Sequence, residues 1–207
     1  MKKTIKFIYY LLMAIVLLYF AINGALEIYP NFHTVIPGKI YRSGQLNTWQ
    51  FEHYIDKYHI KSVLNLRGKS SDQVWYRNEI RAIKQTNIRH YDLGLSAHGL
   101  TSVDNMKRLT DIIQTAPKPL LIHCWRGADR TGLGSVVSLI IFTEQPLSEI
   151  KKQLSWLYGV FTGDSIGVIE LSYYQRWLQE NHLSNSKQHY LTWLQQLKPG
   201  KDYPYKV

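Results

Sequence analysis

The stretch PLLIHCWRGADRTG, over residues 119–132, decides how we interpret the fold. Residues 119–123 form a short apolar run, which is typical of a buried strand. Residues 131–143 are apolar enough for a buried helix. The stretch therefore predicts a strand, a tight loop and a helix in succession. Cys124 ends the predicted strand, and Arg130 stands where the helix begins.

The loop between Cys124 and Arg130 has the makings of a phosphate-binding cradle. Gly127 permits a backbone turn that a bulky residue would oppose. Backbone N–H groups of such a loop, together with the helix N-terminus, favour a dianionic phosphate. The planar guanidinium of Arg130 binds two phosphate oxygens at once. We assign phosphate binding to the loop and the first helical turn: Trp125, Arg126, Gly127, Ala128 and Thr131.

The same donors act on the sulfur of Cys124. They stabilise the thiolate, which is the nucleophilic form, and Thr131 offers a hydroxyl that can donate to it. In-line attack of the thiolate on a phosphate ester gives a phosphocysteine, which water then hydrolyses. This chemistry needs no metal and no cofactor, and we expect none.

The pattern His123-Cys124-x5-Arg130-Thr131-Gly132 resembles the active-site loop of the cysteine-dependent protein-tyrosine phosphatase superfamily, in its dual-specificity and bacterial tyrosine-phosphatase-like branches. YRSGQ (41–45) and VLNLRG (63–68) resemble recurring pieces of the bacterial branch. The resemblance covers about residues 38–180. It implies an α/β fold, a catalytic Cys124 and Arg130, and a supporting His123 that helps to hold the thiolate. Arg67, which ends a predicted strand, is a further supporting residue, and Arg42 is expected nearby.

The leaving oxygen needs a proton, so a general acid is expected opposite the cysteine. Many members of the superfamily carry an aspartate on the loop that here reads LSAHGLTS (95–102), which has no carboxylate. We favour Asp129, because some members have an aspartate directly before the arginine. An ion pair with Arg126 is its structural alternative. Asp92, His98 and solvent remain as other proton sources.

Strands alternate with helices through the rest of the chain. This order predicts an α/β fold with a mostly parallel central sheet and helices on both faces. The predicted strands cover residues 39–42, 61–67, 88–93 and 119–123, and the predicted helices cover residues 48–58, 72–86, 101–115, 131–143, 147–158, 165–180 and 187–197.

The N-terminal segment predicts a membrane anchor. Residues 7–26 read FIYYLLMAIVLLYFAINGAL without a charge and follow three lysines, which favours an uncleaved signal anchor over a cleaved signal peptide. We therefore expect a single-pass protein with a cytoplasmic N-terminus and an extracytoplasmic catalytic domain, periplasmic in a Gram-negative cell. The predicted organisation is an anchor over 1–27, a linker over 28–37 and a phosphatase domain over 38–207.

Composition limits the partners. The chain carries 25 Lys and Arg against 15 Asp and Glu, a net charge of +10, which favours anionic partners. Long basic runs that could follow a nucleic-acid backbone are missing from the sequence, so we expect no nucleic-acid partner. The one cysteine, Cys124, excludes an intramolecular disulfide and a cysteine-based zinc cluster. Phosphorylated proteins and small anionic phosphates remain as partners, together with the membrane.

Three functions follow from these residues. The leading prediction is a protein-tyrosine or dual-specificity phosphatase. The alternative, suggested by Arg126, Asp129 and the expected anchor, is a phosphatase of phosphoinositides, inositol phosphates or other phosphorylated lipids or sugars. A phosphate-binding pseudo-phosphatase is the second alternative, which intact Cys124 and Arg130 disfavour. A broad pocket would admit non-protein phosphates, whereas a deep and narrow one would select phosphotyrosine.

Overall fold

The computed structural model describes residues 2–28, 30–84 and 86–198, without the side chains of residues 2–5 and 20–28. The chain divides into two compact units, residues 1–30 and residues 31–207. The first unit consists of one helix, α1 (Lys2–Ile28). Its described side chains, residues 6–19, are exposed. The C-terminal end of the predicted domain, residues 199–207, lies outside the described residues.

The predicted transmembrane anchor is contradicted. Within the part of the chain that the structure describes, no helix combines the length and the apolar character needed to cross a membrane. This finding overturns three predictions made from the sequence: the signal anchor over 7–26, the single-pass location and the membrane as a partner.

The second unit is an α/β sandwich. Its elements are, in chain order, β1 (His33–Ile36), β2 (Ile40–Ser43), α2 (Thr48–Tyr58), β3 (Ser62–Asn65), α3 (Val74–Lys84), β4 (Arg89–Asp92), α4 (Val103–Thr115), β5 (Leu120–His123), α5 (Asp129–Phe142), α6 (Leu147–Ile150), two 3₁₀ turns (Lys151–Leu154 and Trp156–Tyr158), α7 (Ile166–Glu180) and α8 (Lys187–Gln196).

The sheet is mixed, which corrects the predicted mostly parallel sheet. Its strand order is β1-β2-β5-β3-β4. β2, β5, β3 and β4 pair in parallel, whereas β1 pairs antiparallel with β2. β1 lies inside the segment 28–37 that the sequence predicts to be a linker. The turn after it is short and contains Gly38 at φ +66°, and a connection of that length joins only antiparallel strands.

Helices cover both faces of the sheet. Alternate residues of β5 point to opposite faces, so Leu120 and Ile122 enter one core cluster and Leu121 enters the other. The larger cluster contains residues of α4, α5, α7 and α8, and the smaller contains residues of α2 and α3. β5 is the middle strand and is buried throughout. The residue after it is therefore held at the centre of the sheet edge.

Several helix boundaries differ from the prediction by one or two residues, and two differences lie next to the loop after Cys124. α5 begins at Asp129 rather than at residue 131, so Arg130 lies within its first turn. The predicted helix over 147–158 is instead α6 followed by the two 3₁₀ turns. Ser155 interrupts it with an extended backbone (φ −102°, ψ 167°), and Gly159 ends the second turn at φ +84°.

Candidate active site

Cys124 lies directly after β5, at the edge where the carboxyl ends of four strands meet. Ser43 of β2 and Asn65 of β3 both pair with His123, and Asn65 pairs with Asp92 of β4. Loops at such an edge are the usual ligand-binding region of α/β sheets. Cys124 itself is only 3% exposed. The structure thus places the predicted nucleophile at the base of a loop cluster.

Three consecutive carbonyl oxygens of the loop after Cys124 are held by donors from elsewhere in the chain. The bonds run from Gln45 N to Trp125 O (2.8 Å), from Asn31 Nδ2 to Arg126 O (2.9 Å) and from Arg42 Nη2 to Gly127 O (2.7 Å). In a planar trans peptide, the N–H of the next residue points opposite to the carbonyl. The N–H groups of residues 126–128 therefore point away from these three donors, as an anion-binding concavity requires.

Gly127 is required by the way this loop packs. Its φ is +70°, a region that residues with a side chain rarely adopt. A Cβ at this position would lie 2.6 Å from the backbone nitrogen of Gly44 and 2.7 Å from the carbonyl carbon of Ser43. The loop thus rests directly on the backbone that follows β2.

Arg130 projects from the first turn of α5. Its Nη1 donates to the carbonyl oxygen of Leu95 at 3.4 Å. Arg130 shares an open polar pocket of about 430 Å³ with a second guanidinium, that of Arg67, and with the indole rings of Trp75 and Trp125. Trp125 is 60% exposed, so one side of this pocket is an aromatic wall open to solvent.

Arg42 is a buried cation beneath the loop. Its side chain has no exposed surface, and its Nη1 donates to the carbonyl oxygen (3.0 Å) and the side-chain oxygen (2.7 Å) of Gln153. Its guanidinium lies 4.1 Å from the ring centre of Tyr158. Burial lowers the pKa of Arg42 to about 10, and the charges of Tyr158 and Cys124 act in the opposite direction. The arginine therefore stays protonated at neutral pH.

Glu79 was not predicted from the sequence, yet it lies at the centre of the polar network beside the loop. It is fully buried, and its Oε1 contacts His123 Nε2 (3.0 Å) and His90 Nε2 (2.8 Å). Burial opposes ionisation of Glu79, but His123, His90 and Gln45 outweigh it and hold its pKa well below the usual range. One signal was available: Glu79 is a carboxylate on the face of α3 that also buries Tyr76, Ala82 and Ile83.

Gln45 joins this network to the pocket. Its Nε2 donates to Glu79 Oε2 at 2.9 Å, and its Oε1 accepts from Arg67 Nη1 at 2.8 Å. The guanidinium of Arg67 in turn stacks 3.5 Å from the ring centre of Trp75. The structure therefore connects two predicted supporting residues, His123 and Arg67, through the side chains of Glu79 and Gln45, for which no role was predicted.

The proton donors predicted from the sequence lie in different surroundings. Asp129 is half-buried at the start of α5, and among the described residues it takes part in no ion pair, including the alternative with Arg126. Asp92 accepts hydrogen bonds from Tyr76 Oη (2.6 Å) and Asn65 Nδ2 (2.8 Å). His98 lies 3.4 Å from Asp164. Asp129 is thus the carboxylate nearest in sequence to the loop that is not committed elsewhere.

Two predicted phosphate-binding side chains point to other roles. The Thr131 hydroxyl is fully buried and donates to the carbonyl oxygen of Ser43 at 3.4 Å, so its described bond fixes the helix start to the strand β2. Arg126 is exposed, and its guanidinium lies 5.1 Å from the ring centre of Trp125. Ala128 is buried and precedes α5. The backbone of these positions, more than their side chains, shapes the concavity.

Similarity to known proteins extends over the same region. A family model described as "Tyrosine phosphatase family" matches residues 25–143, more than half of the 207 residues. The curated inositol diphosphatase SIW14 of Saccharomyces cerevisiae is 32% identical over 107 residues, which cover 49% of this chain and 36% of the yeast protein. The chain therefore spans about a third of the length of this relative.

Solved structures show the same fold. The core catalytic domain of the PP-IP phosphatase SIW14 from S. cerevisiae, in complex with citrate, has a TM-score of 0.57 and 24% identity, with 74% of this chain and 94% of that domain covered. The structure of PTPMT1 has a TM-score of 0.54 and 10% identity, with 73% and 99% covered. At these identities the likeness concerns the fold alone.

Proposed function

Because the chain belongs to the tyrosine phosphatase family, and is a cysteine-dependent phosphatase, we propose that it hydrolyses phosphate monoesters through a phosphocysteine on Cys124. One observation carries this assignment. Three loop carbonyls are bound by outside donors, so the N–H groups of residues 126–128 are turned to the other side of the loop. Such a cradle stabilises an anionic transition state.

The reaction runs in two steps. The Cys124 thiolate attacks phosphorus, the S–P bond forms, and the ester P–O bond breaks. Arg130 and the loop N–H groups hold the non-bridging oxygens in both steps. Water then attacks the phosphocysteine, which releases inorganic phosphate and regenerates the thiolate.

Asp129 is our candidate for the general acid. It stands next to Arg130 at the start of α5, half-buried and outside the described ion pairs. As a carboxylic acid it would give its proton to the leaving oxygen in the first step. As a carboxylate it would take a proton from water in the second step. The described hydrogen bonds of Asp92 and the contact of His98 with Asp164 leave these groups less suited to the role.

The pocket favours a small polyphosphorylated substrate, such as an inositol phosphate or diphosphate. It is open, has a volume of about 430 Å³ and contains two guanidiniums, those of Arg67 and Arg130. Binding of a single phosphate group requires only one of these two guanidiniums, so the other is available for a second phosphate group. The inositol diphosphatase SIW14 of yeast, 32% identical over the matched region, acts on a substrate of this class by its name.

Phosphotyrosine is the second candidate. Trp75 and Trp125 both line the pocket, and aromatic side chains of this kind can stack on a phenyl ring. The pocket is open and has a volume of about 430 Å³, which does not restrict it to a tyrosine side chain. A protein substrate would therefore need contacts outside the pocket.

The test measures phosphate release by the full chain from inositol polyphosphates, a diphosphoinositol phosphate and phosphotyrosine peptides. We expect turnover to be lost in Cys124→Ser and strongly reduced in Arg130→Met, and we expect the inositol compounds to have the larger kcat/KM. Activity that survives in Cys124→Ser would overturn the mechanism. A larger kcat/KM for the peptides would overturn the substrate assignment and leave the mechanism intact.

A further inference from the structure

We infer that Gln45 is a positioning residue that holds Arg67 as a second anion-binding group, so that the pocket takes substrates with two neighbouring phosphates. This inference rests on the function proposed above. Arg130 would hold the phosphate that reacts, and Arg67 would hold the one that does not.

The amide of Gln45 has one permitted orientation. The carboxylate of Glu79 only accepts hydrogen bonds, so it takes the NH₂ group of Gln45 at 2.9 Å. The carbonyl oxygen of Gln45 must then face Arg67, whose Nη1 only donates, and the distance is 2.8 Å. Turning the amide over would place donor against donor and acceptor against acceptor. Buried Glu79 therefore fixes Arg67 through Gln45.

Arg67 is held at three points and still has donors to offer. Its backbone N–H donates to Asn65 Oδ1 at 2.9 Å, and its guanidinium stacks 3.5 Å from the ring centre of Trp75. The bond to Gln45 uses one N–H of a guanidinium that carries five. An arginine fixed in this way loses little conformational entropy when it binds an anion. It is pre-organised for a second phosphate.

The charge balance of the pocket points to an anion beside Arg67. Burial lowers the pKa of Arg67, the charge of Arg130 in the same pocket lowers it further, and the charges of Cys124 and Glu79 offset this only in part. Two cations that share a pocket repel each other, and a ligand with two anionic groups relieves this repulsion. The only carboxylate among the residues that line this described pocket is that of Asp72, which is exposed. A ligand with adjacent phosphates matches both guanidiniums.

The experiment compares how matched variants bind and hydrolyse a substrate with one phosphate group and a substrate with several. The variants are Gln45→Met, Arg67→Met and, as a control, Arg81→Met on the exposed face of α3. For each, kcat and KM are measured with p-nitrophenyl phosphate and with inositol hexakisphosphate. In a Cys124→Ser background, calorimetry gives the affinity for the hexakisphosphate and for inorganic phosphate, which does not depend on turnover.

We expect Arg67→Met to weaken binding of inositol hexakisphosphate about tenfold more than binding of p-nitrophenyl phosphate. The difference should be seen in KM and not in kcat. Gln45→Met should reproduce most of this selective loss, and the double variant should lose no more than Arg67→Met alone. Gln45→Ala, which removes the acceptor for Arg67 and leaves room for water beside Glu79, serves if Gln45→Met does not fold. Equal losses on both probes, or additive losses in the double variant, would overturn the inference. If the wild type did not hydrolyse p-nitrophenyl phosphate at all, that result would instead contradict the proposed function.

Discussion

Arg42 Nη2 donates a hydrogen bond to the carbonyl oxygen of Gly127 at 2.7 Å, and the Arg42 side chain that makes this bond has no exposed surface. A buried guanidinium is costly unless it is hydrogen-bonded and its charge is balanced. Three carbonyl-type oxygens accept from it, Tyr158 faces it, and the charge of Cys124 favours its protonated form. The same side chain thus holds the loop that follows Cys124 in place from beneath.

Arg42→Met is expected to lower both stability and activity. The loss leaves the Gly127 and Gln153 carbonyls without donors, at about 1–3 kcal/mol for each buried unsatisfied group. Urea unfolding and kcat with p-nitrophenyl phosphate measure the two effects. Arg89→Met on the exposed side of β4 is the control, with a change within about 0.5 kcal/mol. A folded Arg42→Met variant with wild-type kcat would show that the loop does not depend on this contact.

Gly127→Ala is expected to disable the loop, and Gly38→Ala provides the matched control. Both glycines have positive φ, +70° and +66°, so each substitution carries the conformational cost of about 1 kcal/mol. Only at position 127 does the new methyl group meet backbone, 2.6 Å from Gly44 N, whereas nothing lies within 4 Å at position 38. We expect Gly38→Ala to keep wild-type kcat and Gly127→Ala to lose it about a hundredfold or more. Similar kcat values in the two variants would argue against a rigid loop.

The loop could be predicted from the sequence because its signals are local. One short segment contains the strand residues 120–123, Gly127 and Arg130. Its residue types match the strand, the turn with positive φ and the helix start that follow one another there. The antiparallel strand β1 was missed, because its four residues carry a weak pattern and pair only with the strand that follows. The apolar run over 7–26 favoured a membrane anchor, which the described helix does not support.

The network around the loop could not be predicted, since it depends on contacts between distant parts of the chain. Glu79 is 44 residues from His123, and Asn31 is 95 residues from Arg126. Residue type gives little guidance here, because glutamate and asparagine are mostly exposed. Only the fold, which places α3 beside the end of β5, turns Glu79 into a partner of His123. Contacts between the residues of a site and side chains from distant parts of the chain can be identified only once the tertiary structure is known.

Glu79 is expected to make stability fall in acid. Its pKa is held below the ordinary value of 4.5, so its contribution is complete above that value and is lost as the pH falls further. The free energy of unfolding of the wild type should therefore decline below about pH 4.5, with a slope of up to about 1.4 kcal/mol per pH unit from this group. Urea unfolding from about pH 6 down to about pH 3 measures the slope.

The comparison for this pH dependence is Glu79→Gln, which cannot ionise, beside Glu52→Gln on the exposed side of α2. We expect Glu79→Gln to be less stable at neutral pH, where it lacks a charged acceptor for His123, and to show a flatter decline in acid. Glu52→Gln should follow the wild-type curve. If Glu79→Gln declines as steeply as the wild type, the acid sensitivity originates from other carboxylates.

Asp129→Asn is expected to separate substrates by the acidity of their leaving group. A nitrophenolate leaves readily without a proton, whereas an alkoxide requires one. Loss of the acid should therefore reduce kcat/KM for an alkyl phosphate by about 10²–10⁴ and that for p-nitrophenyl phosphate far less. Asp92→Asn is the matched control, since Asp92 is bonded to Tyr76 and Asn65, and its loss should affect both substrates alike. A selective loss in Asp92→Asn, with equal losses in Asp129→Asn, would transfer the acid to β4. The half-buried start of α5, next to the guanidinium proposed to hold the phosphate, is the position that favours Asp129.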